Sequence, residues 1–248
     1  MECFSYFPRF HLSLLSAVSH DLRTPLSVIA GSSSSLTENF DSLDPAIRRE
    51  LLQTVCEESL RLSRLVENLL QMTRLSAGRL TVDKQWQPIE DVIGSALNRI
   101  ERIVGERPLE VEVPSDLPLG HFDAVLIEQV LINLLDNAFK YSDEKASVTV
   151  RAKKFENGLA VEVLDEGPGI KPGDEEHLFE LFYRGANALP DRRGTGLGLS
   201  ICKAIVQAHG GEIEIRNRAE KGTCVRFTLP SSGKPPIVEI DDVEPEKV

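Results

Sequence analysis

Near the start of the chain, Ser19-His20-Asp21-Leu22-Arg23-Thr24-Pro25-Leu26 puts an imidazole beside a carboxylate and follows both with a proline. A neutral imidazole attacks phosphorus through Nε2 when its Nδ1 proton is held. Asp21 is the nearest carboxylate to hold that proton, which fixes the tautomer and raises nucleophilicity. Thr24, one turn on, can orient a water for the reverse, hydrolytic reaction. Pro25 has no N–H to give to the carbonyl of Asp21, which loosens the backbone one turn past the histidine and permits a bend. A lone exposed histidine is also an ordinary surface residue, so the rest of the chain has to decide.

Four clusters in the second half carry complementary chemistry. In Asn133-Leu-Leu-Asp-Asn137-Ala-Phe-Lys140-Tyr141 the two asparagines are four apart and share a helix face. Their amide oxygens suit magnesium, and Lys140, one turn further, suits phosphate. The same spacing also fits the polar side of any amphipathic helix. Asp165-Glu166-Gly167-Pro168-Gly169 closes a run of apolar residues. A carboxylate there can accept from an adenine amino group while the glycines let the ring approach the backbone, although a tight turn would use the same residues. Phe179 to Arg184 reads by itself as an aromatic helix packed on the core. Gly194-Thr195-Gly196-Leu197-Gly198-Leu199 opens a helix whose free N–H groups suit an anion. It lacks the Gly-Lys-Ser/Thr of a P-loop, and its alternate glycines with no leading strand are not the dinucleotide fingerprint. Between the last two clusters, Arg184, Gly185, Arg192 and Arg193 are expected to form a lid with cations for a triphosphate.

These residues need elements to hold them. Leu15, Leu22, Ile29 and Leu36 fall in one heptad lane, with Val18 and Leu26 alongside, and predict a long helix with His20, Thr24 and Ser27 on its outer side. The serine run 32–35 should weaken it locally. Asp44 and Pro45 suit the start of a second helix, to about Leu75, with lanes through Val55, Leu62 and Leu69 beside Leu51, Leu65 and Met72. Two antiparallel helices leave much of their apolar stripe wet, so a homodimer closing a four-helix bundle is expected. Beyond Trp86 the pattern predicts helices over 89–104, 124–141 and 197–208. Strands are predicted over 109–113, 147–154, 159–164, 212–216 and 223–229, with Asn157-Gly158 turning one hairpin. That is an α+β sandwich, a mixed sheet with helices on one face. The segments are a remnant over 1–11, a hairpin over 12–78, a linker over 79–88, the sandwich over 89–230 and a disordered acidic tail over 231–248.

The formal net charge of -11 argues against general nucleic-acid binding, so any phosphate site must be local. The four cysteines form no CxxC pair, and the histidines show no metal-ligand spacing. No run of about 20 apolar residues spans a membrane, and the chain reads as cytoplasmic, without membrane contact.

Taken in order, the clusters resemble the sensor histidine kinases of two-component systems over roughly residues 12 to 230. SHDLRTPL is similar to the phosphoacceptor box, NLLDNAFKY to the N box, DEGPG to the first glycine box, FELFYR to the F box, GTGLGL to the second, and Gly222-Thr223 to the small box after it. The resemblance implies a helical phosphotransfer hairpin followed by an ATP-binding domain of the GHKL (Bergerat) type. It implies ATP and Mg²⁺ as cofactors and a response regulator receiver domain as partner. His20 would accept the γ-phosphoryl, with Asp21 assisting and Thr24 supporting dephosphorylation. Asn137 with Asn133 would hold Mg²⁺, Lys140, Tyr141 and Arg184 would line the phosphates, and Asp165 would read adenine. Gly167, Gly169, Gly194, Thr195, Gly196, Leu197, Gly198 and Thr223 would shape the pocket. NLLQMTRLSAGRL, Trp86 and EDVIGSALNRI are similar to the potassium-responsive sensor kinases that control high-affinity K⁺ uptake. That group carries a regulatory region and membrane helices upstream, so this chain is expected to be the catalytic fragment of such a protein. ATP hydrolases on the same nucleotide fold place a glutamate at Asn133 as general base. An amide cannot take a proton, which favours transfer to a positioned nucleophile over hydrolysis or a non-catalytic scaffold.

Overall fold

A computed structural model describes residues 7–76, 81–105, 107–181, 183, 196–231, 233 and 235, with backbone alone for 7–21, 64, 71–72, 74–76 and 102–104. The chain forms two units, Met1–Arg79 and Leu80–Val248. In the first, helix α1 (Phe7–Asn39) and helix α2 (Pro45–Ser76) form a hairpin. The Asp44 side chain accepts from the N–H of Ala46 at 2.7 Å and its carbonyl from Arg48 at 3.0 Å, which starts α2 where the sequence placed it.

Three expectations about the hairpin need correction. Helix α1 begins at Phe7, inside the expected remnant. It runs through Pro25 and the serine run as the one long helix expected. Its buried described positions are Pro25 and Ser32, seven apart, while Leu22, Ile29 and Leu36 are half-buried and Leu26 is 50% exposed. At 100° per residue the seam toward α2 is therefore rotated about 60° from the expected leucine lane. A two-helix contact buries only a narrow strip, here the one through Pro25 and Ser32. The apolar lane is left on the flank. On the expected outer strip Ser27 is exposed, but Thr24 is half-buried.

The second unit opens with strand β1 (Gln85–Gln87), then α3 (Ile89–Val104), β2 (Leu109–Glu112), β3 (Gly120–Phe122) and α4 (Ala124–Tyr141). It continues through β4 (Val148–Phe155), β5 (Gly158–Leu164), α5 (Gly198–Ala208), β6 (Ile213–Asn217) and β7 (Thr223–Pro230). The main sheet has the order β2-β4-β5-β7-β6, with β2 parallel to β4 and the other pairs antiparallel. Ile89, Val92, Ile93, Ala96 and Ile100 of α3 bury the helical period, and α4 and α5 bury theirs beside Val148, Val150, Val161, Val163 and Phe227. Phe179 lies in a run of turns over 175–181, where a helix was expected.

The opposite sheet face is charged, and its register is specific. Glu112, Arg151, Glu162, Arg226 and Glu214 sit directly opposite one another across all five strands. Arg151 reaches Glu112 at 2.5 Å and Glu162 at 3.6 Å, and Arg226 reaches Glu214 at 3.1 Å. Lys153 adds a 2.6 Å contact to Glu162, which is buried among these cations. Opposite charges facing each other across strands favour this pairing, and a one-residue slip would lose all of them.

The linker is shorter than the 79–88 expected. β1 pairs antiparallel with β3, Trp86 stacks on His121 at 4.9 Å, Asp83 N–H donates to the Asp123 carboxylate, and Lys84 Nζ donates to the His209 carbonyl at 2.9 Å. Residues 83–87 therefore belong to the second unit. β1 and β3 have three residues each, too few for an alternation to show in the sequence.

His209 ties these pieces together. It is 2% exposed, its Nδ1–H donates to the Ile205 carbonyl at 2.8 Å, and its Nε2 accepts from the Asp123 N–H at 3.1 Å. Protonation would set a second N–H against that donor. Burial, with a smaller push from the Lys84 charge, holds the imidazole below its ordinary value of 6.5, against the Ile205 bond and Asp123. Between the lowered value and 6.5 the unfolded chain binds more protons, so stability rises with pH there. The contribution is present above about 6.5 and lost as pH falls through the folded-state value. Urea midpoints followed by the fluorescence of Trp86, the single tryptophan, should fall below pH 6.5, and His209→Gln should flatten that slope.

Candidate active site

Helix α4 is fixed at both ends. Asp123 caps its start, accepting from Val125 and Leu126 N–H at 3.0 and 3.2 Å. At its far end Arg107 donates to the carbonyls of Phe139 at 2.6 Å and Asp143 at 2.5 Å, with its guanidinium 5.0 Å from the Phe139 ring. Seven apolar side chains face the core, from Ile127 to Phe139. Asn133, Asn137, Lys140 and Tyr141 are left half-buried on the remaining surface.

The start of α5 comes to the asparagines. A Cβ built on Gly198 would lie 3.9 Å from Asn137 Nδ2 and 4.0 Å from Asn133 Cγ, so both amides face the first turn of the helix opened by Gly196-Leu197-Gly198. Gly196 has φ +68°, Leu197 is buried, and the Asn133 Nδ2 atom is buried without a hydrogen-bond partner. Burial pushes the nearby Cys202 thiol up to about 12, against the pull of the Asn133 side chain, so this thiol stays protonated at neutral pH.

Asp165 anchors the other side. It is 6% exposed; Oδ1 accepts from Gly167 N–H at 2.7 Å and Thr223 N–H at 3.2 Å, and the Thr223 hydroxyl donates to Oδ2. A Cβ on Gly167 would lie 2.9 Å from both Asp165 Oδ1 and the Tyr141 carbonyl, which joins the end of α4 to the glycine loop. Elsewhere in the unit, Lys203 Nζ lies 5.6 Å from the Phe179 ring and Tyr183 donates to Asp174 at 2.7 Å.

Asn133, Asn137, Gly198, Leu197, Asp165, Gly167, Gly169, Thr223, Lys140 and Tyr141 thus lie on elements that converge within one unit. Arg184, Gly194 and Thr195 lie outside the described residues, as do the side chains of His20 and Asp21, whose backbone is helical. Arg107, Asn217 and Arg218 were missed; each acts through backbone carbonyls or amides, and no motif spacing points to such a role.

A glycine loop anchored on a buried aspartate, joined through the end of α4 to a helix start beside two asparagines, suits a nucleotide, and a helical hairpin precedes these elements in the chain. The family of the histidine kinase-, DNA gyrase B- and HSP90-like ATPases matches residues 122–233, and the His Kinase A (phospho-acceptor) domain matches residues 11–78. The chain belongs to the sensor histidine kinases, of which it carries the catalytic core, and the second unit is an ATP-binding domain. It is 41% identical to the sensor protein KdpD of Escherichia coli strain K12 over 93% of its own length, and 38% identical to KdpD of Clostridium acetobutylicum over 90%. It spans about a quarter of the length of those relatives (25% of each). Among solved structures it is similar to the histidine kinase ThkA in complex with response regulator protein TrrA, with TM-score 0.67 and 25% identity over 90% of this chain and 64% of that one. Acinetobacter baumannii histidine kinase AdeS gives 0.65 and 26% over 86% of this chain and 98% of that one.

Proposed function

We propose that the chain phosphorylates itself on His20 with ATP and passes the phosphoryl group to an aspartate of a response regulator, in a two-component system serving K⁺ homeostasis. The observation that carries this reading is that the Asn133–Asn137 pair faces the α5 start while the end of the same helix, at Tyr141, meets the glycine loop of Asp165, in a chain whose matched phospho-acceptor domain contains His20. In the transfer the Nε2–P bond forms and the bond to the bridging β,γ-oxygen breaks, releasing ADP. Asp21 holds the Nδ1 proton. Asp165 accepts from the adenine amino group, and the α5 N–H groups with Lys140 take phosphate oxygens.

The pocket fits Mg²⁺. No group of three His, Cys, Asp or Glu able to hold a metal occurs among the described residues, but Asn133 and Asn137 bring two amide groups to the start of α5, whose oxygens could serve as ligands. Mg²⁺ usually binds through one or two protein oxygens plus phosphates and water, and when bound it offsets phosphate charge. Asn133, being an amide, takes no proton from water.

Incubation with γ-labelled ATP tests the reading. Acid-labile, base-stable label on the protein supports it; free phosphate without label would make the chain a hydrolase, and neither would make it a scaffold.

The proposed homodimer accounts for the hairpin's flank. Leu26, Leu52, Val66 and Leu70 are all about half exposed, and burying such a side chain fully contributes about 1.5–3 kcal/mol. Leu70→Glu is expected to shift the chain from dimer to monomer in sedimentation at micromolar concentration. The response regulator would dock on the same hairpin. No helix among the described residues is long and apolar enough to cross a membrane; placement in the cytoplasm, as part of a membrane-anchored sensor, belongs to this proposal.

A further inference from the structure

We infer that Asn217 and Arg218, at the corner between β6 and β7, are positioning residues that hold the glycine loop 165–170 in its nucleotide-binding shape before ATP arrives. The inference deepens the proposed function and rests on it in one respect, that Asp165 reads adenine.

The Asn217 side chain grips both backbone groups of one loop residue. Its Oδ1 accepts from the Ile170 N–H at 2.7 Å, and its Nδ2 donates to the Ile170 carbonyl at 2.8 Å. Arg218 holds the other end. Its Nη1 donates to the Asp165 carbonyl at 2.8 Å, while its own N–H donates to the Gly222 carbonyl at 3.0 Å. Two consecutive residues, the last of β6 and the one after it, thus pin the loop at its first and last positions. The glycine between fits the clamp: Gly169 has φ +77°, and a Cβ there would lie 2.8 Å from Asn217 Oδ1. An asparagine amide donates and accepts at fixed geometry, whereas aspartate only accepts and would set a carboxylate oxygen against the Ile170 carbonyl. A loop held in advance spends less binding free energy on ordering when the ligand enters.

Full-length chain and N217A, N217D, R218A and R218K variants are compared with a fluorescent ATP analogue and Mg²⁺, and in the labelling reaction. N217A should weaken nucleotide binding and raise the KM for ATP about tenfold, a factor worth about 1.4 kcal/mol. N217D should weaken binding at least as much. The maximal labelling rate should change far less. R218A should weaken binding several-fold, and R218K, which keeps a donor for the Asp165 carbonyl, should recover part of it. Wild-type affinity in N217A overturns the inference. The hydrogen exchange of the Ile170 amide in the nucleotide-free chain decides it separately from ATP uptake. Protection that N217A abolishes supports the clamp, and exchange as fast as in an unstructured peptide overturns it. A wild-type chain that binds no ATP would sink the proposed function while leaving this exchange test standing.

Discussion

Replacing His20 by glutamine is expected to reduce labelling from γ-labelled ATP to background while leaving ATP affinity unchanged. Glutamine keeps a polar group of similar length but has no nucleophilic nitrogen, so no N–P bond can form. The two halves of this result separate because His20 belongs to the Met1–Arg79 unit and every nucleotide-binding residue described belongs to Leu80–Val248. Titration with a fluorescent ATP analogue checks the affinity, and a filter assay checks the label. Asp21→Asn should give an intermediate result. The imidazole remains but loses the carboxylate that holds its Nδ1 proton, and the rate should fall by about a hundredfold, within the range of a positioned acid–base group. Label persisting in H20Q would move the acceptor elsewhere and remove the basis of the proposed function.

The features legible in the sequence were those with a period or a marked residue type. The apolar period gave the range of α3, Asp44 marked the start of α2, and Asn157-Gly158 placed the β4–β5 turn. The glycines and amides of the candidate site stood out because each is unusual where it stands. The hairpin seam was less so. Its rotation toward Pro25 and Ser32 follows from which strip the partner helix covers, and a heptad lane marks apolar residues without saying which neighbour covers them. The linker failed for a different reason. Lys84 meets the carbonyl of His209, and Trp86 meets His121, through contacts between residues far apart in the chain. Nothing local in 83–87 reads as part of a folded unit. The charge row from Glu112 to Glu214 had the same difficulty, since each member looks like an ordinary solvated residue until the register is known.

Gly222→Ala should abolish nucleotide binding and lower the stability of the second unit by on the order of 3 kcal/mol. Gly222 has φ +96°, where an L side chain is strained, and its Cβ would lie 1.9 Å from the Asp165 carbonyl oxygen and 2.8 Å from Glu166 Cα. Both contacts are backbone, so no side chain can turn away to relieve them. The β7 start and the glycine loop would have to separate. That breaks the bonds from Thr223 to the Asp165 carboxylate and from Asp165 N–H to the Thr223 carbonyl, which aim the carboxylate. Gly94→Ala is the matched control. Gly94 lies inside α3 with nothing within 4 Å of a built Cβ, so alanine should stabilise the unit by up to about 1 kcal/mol through helix propensity. The same chemical change thus has opposite signs at two glycines, read as urea midpoints from Trp86 fluorescence. If G222A bound ATP normally, the close approach of β7 to Asp165 would have no part in shaping the proposed adenine site.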